Sequence, residues 1–565
     1  MLPLWGQRIG DSRKRGGRQS HRWDRPMNAP LSADVVIVGS GIAGALTGYT
    51  LARSGVKVLI LEAGPRVDRG KAVATFRASA TKSPNSPYPA HPKVPQPESD
   101  AIGAYYVQAG PETFNTLQAR VVGGTTWHWG GLALRYHPSD FVLKSKYGVG
   151  VDWPLAYTDI EPWYVEAENA IGVAGPADED WGAPRSQGYP MPMVAPTYLD
   201  QVVAAACASI GLTMAPFPQA RNTVGRDGRP PCCGNASCVP ICPIGAKYDG
   251  GMHVAKAEAA GARVEALAIA HRVVVGIDGK VSAVRFLRPD GSEQEARGKV
   301  FVIAAHAIET AKLLLMSRDP RHPSGVANSS DQVGRNLLTQ LDAGMIGLTK
   351  DPIYPYRGPV STSGIKDLRD GPFRGQFGAS AMSPSNEGWW RAIGPLKVAQ
   401  ELAAKGMHGV ALGKAVSDHA SRELGMGPSV EVLPNPDNRV TLALDQRDPL
   451  GLPRPRISFR FGSYEMEGMK VGMTHVQAIM QALGATSTSV QGPVTDGAVM
   501  GGTCRMGSDP KTSVVDRNLR AHDHPNLYLV GSAAFPTITS SPPTLTIAAF
   551  ALRAGTQILT DLKSA

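Results

Sequence analysis

Four of the six cysteines in this chain stand within eleven residues: Cys232, Cys233, Cys238 and Cys242, with Pro243 directly after the last. Thiols at this density suit an iron–sulfur cluster, whose irons take soft anionic sulfur and whose small size lets one loop supply every ligand. Structural zinc and disulfides are the alternatives. Zinc sites bring their ligands as two separated groups, and no second cysteine pair is present here. Disulfides require an oxidising compartment. The tight spacing and the Cys-Pro step favour the cluster.

A second constellation lies far upstream, Gly39-Ser40-Gly41-Ile42-Ala43-Gly44. Such a motif carries weight only between a strand and a helix, and that is its setting. The apolar, β-branched run Ala33–Val38 precedes it, and Ile42–Ser54 reads as a helix closed by Gly55. A second strand, Val56–Leu61, ends at Glu62, eighteen positions past the last glycine. The unit is βαβ with a dinucleotide fingerprint. Gly39 permits the turn, Gly41 lets backbone approach a pyrophosphate, Gly44 lets the helix pack on the strand, and Glu62 meets a ribose hydroxyl. The helix N-terminus adds positive potential. An electron-pair acceptor and a one-electron relay in one chain describe a redox enzyme wired to an acceptor.

The elements that must hold these parts follow from pattern. Residues 78–119 are rich in loops and prolines, and Arg120–Gly131 mixes paired glycines with Trp127, His128 and Trp129, as backbone pressed against a flat ring would. Val300–Ala305 reads as another buried strand leading into a helix over Ile308–Ser317. Residues 345–495 change character: alternation at Arg439–Leu444 predicts antiparallel strands, and Tyr464–Leu483 a helix. The stretch Asn526–Ser532 returns to a buried strand, and Thr544–Leu562 to a long apolar helix. The fold class is therefore α/β, a Rossmann-like dinucleotide domain interrupted by a second, α+β domain built on an antiparallel sheet, with an iron–sulfur loop insertion.

The boundaries expected are a basic leader over 1–30, a first dinucleotide part over 31–344 with the cysteine segment at 228–250, a substrate domain over 345–495, and a closing dinucleotide part over 496–565. Gly 63 and Pro 46 together indicate many turns in 565 residues. The net charge is +10, and residues 1–26 carry seven Arg or Lys against two Asp, half of that excess. No nucleic-acid signature remains in the rest. Met27 is a candidate true start. Nothing after Lys14-Arg15 has the apolar core of an export signal, and no run is long enough to span a membrane.

With these motifs in place, the chain resembles the glucose–methanol–choline (GMC) oxidoreductases, specifically the flavin subunits of bacterial membrane-associated sugar, polyol and aldonate dehydrogenases. Gly123–Gly131, Tyr147–Pro154, Cys232–Ala246, Gly325–Ser330 and Thr544–Ala549 are most similar to the FAD-dependent glucose dehydrogenases of that group. The resemblance implies FAD on Gly39, Gly41, Ile42, Ala43, Gly44 and Glu62, beneath Gly123, Gly124, Thr125, His128, Trp129 and Gly130, and beside Gly531, Ser532 and Thr544. It implies a three-iron, four-sulfide cluster on Cys233, Cys238 and Cys242, with Cys232 as a neighbour. It also implies a carbohydrate-type substrate and two partners, a small subunit carrying the export signal and a multihaem cytochrome c. The location implied is the periplasmic face of the inner membrane, reached by co-export, or the cytoplasm where no such partner exists.

The departures from the family pattern concern catalysis. Gly502-Thr503-Cys504-Arg505-Met506-Gly507 is intact, but the family histidine before it is Val499, and the family Asn or His before Pro-x-Leu-Thr is Pro542. The Asp-His after Gly-Arg-Asn-Leu is Thr339-Gln340. Alcohol oxidation needs an acceptor for the hydroxyl proton, and losing a positioned base costs about 10²–10⁴-fold in rate. Valine and proline accept no proton. Asp496, in the turn Thr495-Asp496-Gly497, is the nearest titratable candidate for a replacement base, although a solvated turn aspartate is the reading favoured there; His522 and His524, favoured as turn residues near the end of the flavin domain, stand in reserve. Two alternatives stand beside a replacement base: a substrate that needs no strong base or a site reorganised for another carbohydrate derivative, and a cofactor-carrying but catalytically silent subunit in electron relay or assembly. His128 stands where some relatives attach FAD covalently, and a ring packed beside the flavin without a bond is the reading favoured here. Cys207 and Cys504 are expected as small buried hydrophobes.

Overall fold

Val35–Val38 is wholly apolar and β-branched, and in the computed structural model all four residues are buried as the central strand of a parallel sheet. The structure describes residues 30–79, 83–94, 96–97, 102–386, 395–495 and 497–564. Asp496 and the basic leader through residue 29 lie outside the described residues.

The elements that position the site are, in chain order, β1 (Val35–Val38), α1 (Ile42–Ala52), β2 (Val58–Leu61), β3 (Met214–Pro216), α2 (Gly250–Ala259) and β4 (Arg263–Glu265). They continue with β5 (Val300–Ile303), α3 (Ala307–Met316), β6 (Gln340–Leu348), β7 (Ser363–Ile365), β8 (Ser380–Pro384) and β9 (Glu423–Glu431). The last are α4 (Ser463–Ala482), β10 (Thr486–Thr495), β11 (Leu527–Leu529) and α5 (Thr544–Ser564).

The first sheet runs β11-β5-β1-β2-β4, parallel throughout. Its central strands are near-continuous apolar runs, buried within the main core. Helix α1 is buried on almost every side and packs against α5 and α2, so residues 544–564 close the domain begun at residue 31. The second sheet runs β10-β6-β9-β8-β7-β3 and is antiparallel throughout. The boundary expected at residue 345 falls inside β6, and edge strand β3 comes from well before it. Arg439–Arg447 is antiparallel as its alternation requires, but it pairs with Pro453–Ser458 in a separate three-stranded sheet. Helix α4 packs on the second sheet through β9 and β6. Among the described residues no helix is long and apolar enough to cross a membrane.

Candidate active site

A cavity of about 570 Å³ lies between the C-terminal ends of the parallel strands and one face of the second sheet. Such a position, outside the carboxyl ends of parallel strands, is where open α/β sheets bind ligands. Gly39, Gly41, Ile42, Ala43 and Glu62 line one end. At Gly39, φ is +98°, and a Cβ would stand 2.4 Å from the Ala304 carbonyl oxygen. A Cβ on Gly41 meets nothing within 4 Å, so this glycine opens onto free space. No side chain caps α1 at Gly41, leaving its first N–H groups for an anion.

Gly44 and Gly123, counted above as cofactor contacts, do not line the cavity and serve packing instead. A Cβ on Gly44 would lie 2.0 Å from the Gly39 carbonyl oxygen, and one on Gly123 (φ +96°) 2.6 Å from the Gly251 nitrogen. The Glu62 carboxylate accepts hydrogen bonds from Ser40 N (2.9 Å), Ser40 Oγ (2.6 Å) and Gly64 N (2.8 Å). Ser40 Oγ in turn accepts from Gly123 N at 3.1 Å. Glu62 therefore fixes the glycine loop and the Gly123 turn while one edge of its carboxylate faces the cavity. Burial holds its pKa above the usual carboxylate range, opposed by the Ser40 and Gly64 hydrogen bonds.

The strap Gly124–Gly131 crosses the middle of the cavity, with Gly124, Thr125, His128, Trp129 and Gly130 on its wall. Trp127 turns away, donating to the Val122 carbonyl at 2.8 Å under the Arg69 guanidinium. His128 is buried, its Nε2 has no hydrogen-bond partner, and burial, aided by the Lys247 charge, lowers its pKa to about 3. The imidazole is neutral and its free nitrogen is unsatisfied, as a ring contact for a bound cofactor would be. Gly531, Ser532 and Thr544 line the same cavity from β11 and the start of α5. The residues present fit FAD.

At the far end stand Val499 and Pro542, joined by Gln340, Asp342, Ser383 and Ser429 from the second sheet. Val499 is buried with Leu338 and Ile538 in a small apolar cluster, which is why no titratable group occupies that position. Gln340 Nε2 donates to the Thr539 carbonyl at 2.6 Å, and Thr339 Oγ1 to the Val499 carbonyl at 2.8 Å. His522 and His524, held in reserve as bases, do not line the cavity. His522 Nε2 lies 2.9 Å from Ser513 Oγ, and His524 is buried, its ring nitrogens against Ala327 N (3.3 Å) and the Gly279 carbonyl (2.8 Å). Both hold turns together, because each ring finds its partners in loops remote from the cavity. Cys207 and Cys504 are fully buried.

Cys232, Cys233, Cys238 and Cys242 line a single narrow pocket of about 10 Å³, about the room one water needs. All four are free thiols, Cys233 exposed at the rim and Cys238 and Cys242 buried. Among the described residues no group of three or more His, Cys, Asp or Glu is disposed to hold a metal ion. A multi-iron cluster spreads its thiolates over separate irons, so they need not converge on one point, but seating one requires this loop to open. The charges around the pocket fit such a group. Arg221 is buried beside the cysteines and donates from Nη2 to the Gly130 carbonyl at 3.1 Å, while Nε and Nη1 have no partner. Lys247 is buried, and its Nζ donates to the carbonyls of Trp127 (3.1 Å), Trp129 (2.5 Å) and Cys238 (2.8 Å). Burial lowers the Lys247 pKa to about 8, with Cys238 and Cys242 opposing. Neither cation has a carboxylate partner among the described residues. Uncompensated buried charge is costly, and an anionic thiolate cluster would supply the counter-charge.

Sequence reasoning missed Ser40, Arg221, Lys247 and Asp342. Ser40 sits inside the glycine motif and was findable as a hydroxyl within reach of the strand-end acid. A lone lysine five positions past Cys242 carries no pattern of its own, since two of its three partners, Trp127 and Trp129, are more than a hundred residues away.

Comparison with known proteins follows the same lines. Family models described as GMC oxidoreductase match residues 33–342 and 434–551. The chain is 38% identical over 546 residues to the fructose dehydrogenase large subunit of Gluconobacter japonicus, covering 95% of this chain and 99% of that one. It is 26% identical to the gluconate 2-dehydrogenase flavoprotein of Pantoea cypripedii, covering 92% of each. A structure of formate oxidase from Aspergillus oryzae, solved to study FAD modification, superposes with a TM-score of 0.64 at 14% identity, over 94% of this chain and 99% of that one.

Proposed function

The chain belongs to the GMC oxidoreductase family, and from that premise we propose that it is the flavin subunit of a dehydrogenase that oxidises a hydroxyl of a sugar, polyol, glycoside or sugar acid and passes the electrons through an iron–sulfur cluster to a cytochrome c. Membership makes it an FAD enzyme acting on CH–OH groups. Bound FAD supplies a two-electron acceptor. The chain's own residues do the rest: Gly39, Gly41 and the start of α1 receive the pyrophosphate, Glu62 the ribose, and the strap bears on the ring. The second sheet offers a small, hydroxyl-bearing floor with Ser383 and Ser429 beside Gln340, joined by Ser361 from the loop before β7, suited to a substrate rich in hydroxyls.

One observation carries the electron-relay reading. The Lys247 ammonium bonds at once to the strap that lines the cavity and to the loop of four cysteines, and Arg221, which lines the cysteine pocket, bonds to the strap at Gly130. Two buried cations, without carboxylate partners among the described residues, stand between the strap and the cysteine pocket, which supports the relay reading. Likeness to a protein named a large subunit supports a multi-subunit assembly. We propose the small export-bearing subunit and the multihaem cytochrome as its members, at the periplasmic face of the inner membrane.

The experiment is an anaerobic preparation assayed for iron and FAD per chain, then titrated with a panel of sugars, glycosides, polyols and aldonates while the flavin absorbance is followed. About three irons and one FAD per chain, and bleaching by at least one panel member, are expected. Zinc in place of iron sinks the relay. No bleaching, either by the native chain or after Val499→His with Pro542→Asn, sinks the dehydrogenase and leaves the silent subunit. That pair inserts an imidazole into the Leu338–Ile538 cluster, so its FAD content is measured alongside.

A further inference from the structure

The cavity reaches Val499 and Pro542 with no base on either, so the proton acceptor must come from another segment. Four carboxylates line the cavity among the described residues: Glu62, Glu309, Asp342 and Asp448. Glu62 belongs to the nucleotide end, holding Ser40 and Gly64. Glu309 pairs with Arg120 at 3.0 Å and accepts from the Tyr105 hydroxyl at 2.7 Å. Asp448 lies 3.5 Å from Lys312 and accepts from the backbone of its own loop at Leu450 and Leu452. The lining histidines, His128 and His306, belong to the strap and to the loop after β5, on the dinucleotide side.

Asp342 alone of the four stands on the second sheet. It shares the cavity face of β6 with Gln340, while Leu341 between them is fully buried. Two sets of contacts fix where that face lies. Leu341 and Asp342 pair with Thr495 and Val494, and Leu338 N donates to the Gly501 carbonyl at 2.9 Å, so the start of β6 runs alongside the segment carrying Val499. The Gln340 hydrogen bond to Thr539 ties the same strand to the segment leading to Pro542. Across the sheet Asp342 is level with Ser429, a hydroxyl on the cavity floor.

We infer that Asp342 accepts the hydroxyl proton of the substrate, in place of the base lost at Val499; this rests on the dehydrogenase reading above. The substrate O–H bond breaks with its proton passing to the Asp342 carboxylate. With FAD bound, the flavin would take the C–H hydrogen with its electron pair, and the carbon–oxygen bond would become a carbonyl. One alcohol yields one ketone or aldehyde, one two-electron-reduced flavin and one carboxylic acid, which returns its proton to solvent.

The test compares Asp342→Asn, Asp342→Ala and Asp342→Glu with the native chain and with Asp496→Asn, using the best substrate of the panel. Anaerobic flavin reduction in Asp342→Asn should slow about 10²-fold or more, with the acid limb of the native pH profile gone. FAD content should be unchanged, and binding of a deoxy analogue lacking the oxidised hydroxyl, read from the flavin spectrum, should stay within a few-fold. Added formate should restore part of the rate in Asp342→Ala, a rescue that a merely structural role would not give. A native rate and pH profile in Asp342→Asn, or an equal loss confined to Asp496→Asn, overturns the assignment. Should Asp342→Asn lose FAD, Asp342→Glu decides: a folded, flavin-loaded but unrescued and inactive glutamate variant also overturns it. A native chain that no panel member reduces removes the reaction itself, a failure distinct from that of Asp342.

Discussion

Replacing Lys247 with methionine keeps the length and packing of a buried side chain and deletes the ammonium that holds three carbonyls. Each buried acceptor left unsatisfied costs about 1–3 kcal/mol, roughly 3–9 kcal/mol for Trp127, Trp129 and Cys238 together. Against this stands the cost of burying the charge. The fall in pKa from 10.5 to about 8 amounts to about 3 kcal/mol at about 1.4 kcal/mol per unit, which methionine recovers. The net loss is about 2–3 kcal/mol at the midpoint. Unfolding of a chain this large is not two-state, so the loss is to be sought locally, where the carbonyls are. Two of them belong to the strap over the flavin site and one to the cysteine loop. FAD should therefore bind roughly 30–140-fold more weakly, measured by equilibrium dialysis or flavin fluorescence, and iron should fall in the same preparation. FAD affinity and iron content both within threefold of native would refute the reasoning.

Three further outcomes are expected. Gly41→Val should abolish FAD binding while leaving the flavin-free fold intact by circular dichroism, because its side chain enters open space; Gly39→Ala should destabilise even the flavin-free chain, with 2.4 Å to the Ala304 oxygen. Full FAD occupancy in Gly41→Val would remove the glycine loop from the site. Cys238→Ser should lose iron and cytochrome reduction while substrate still bleaches the flavin, since Lys247 holds the Cys238 carbonyl rather than its sulfur. Acid should destabilise the protein through His128 and His306, held neutral by burial with pKa values lowered to about 3 and about 4. The unfolded chain binds these protons first, so the stability is fully present above about pH 6.5 and falls below it by about 1.4 kcal/mol per unit per histidine. A flat denaturant midpoint between pH 6.5 and 4 would contradict this.

The parts legible in the sequence are those whose meaning is local. The β1–α1 loop, Glu62 at the end of β2, the strap and the cysteine segment each declare themselves within a few residues, because backbone approach and thiol density leave a pattern at short range. Apolar runs likewise disclosed β1, β5, β11 and α5. What could not be read depends on contacts between distant segments. Lys247 looks like any surface lysine until Trp127 and Trp129 fold over it. His522 and His524 look placed for chemistry by sequence position, yet Ser513, Ala327 and Gly279 claim them. Asp342 lies two residues beyond a family motif, but only the pairing of β6 with residues 494–495 brings it into the cavity.

The start of β6 also bears on how substrates come and go. Leu338, Thr339 and Gln340 bond to Gly501, Val499 and Thr539 before the strand enters the antiparallel sheet. The two halves of the molecule are thus stitched at the reaction centre itself, where a hinge would have to act. Bending there would break the contacts that set the distance between sheet floor and strap. Such a seam predicts that substrate enters and leaves without rigid-body rocking of one sheet against the other. A fluorophore pair spanning the two sheets should show one distance, unchanged from resting enzyme to saturation.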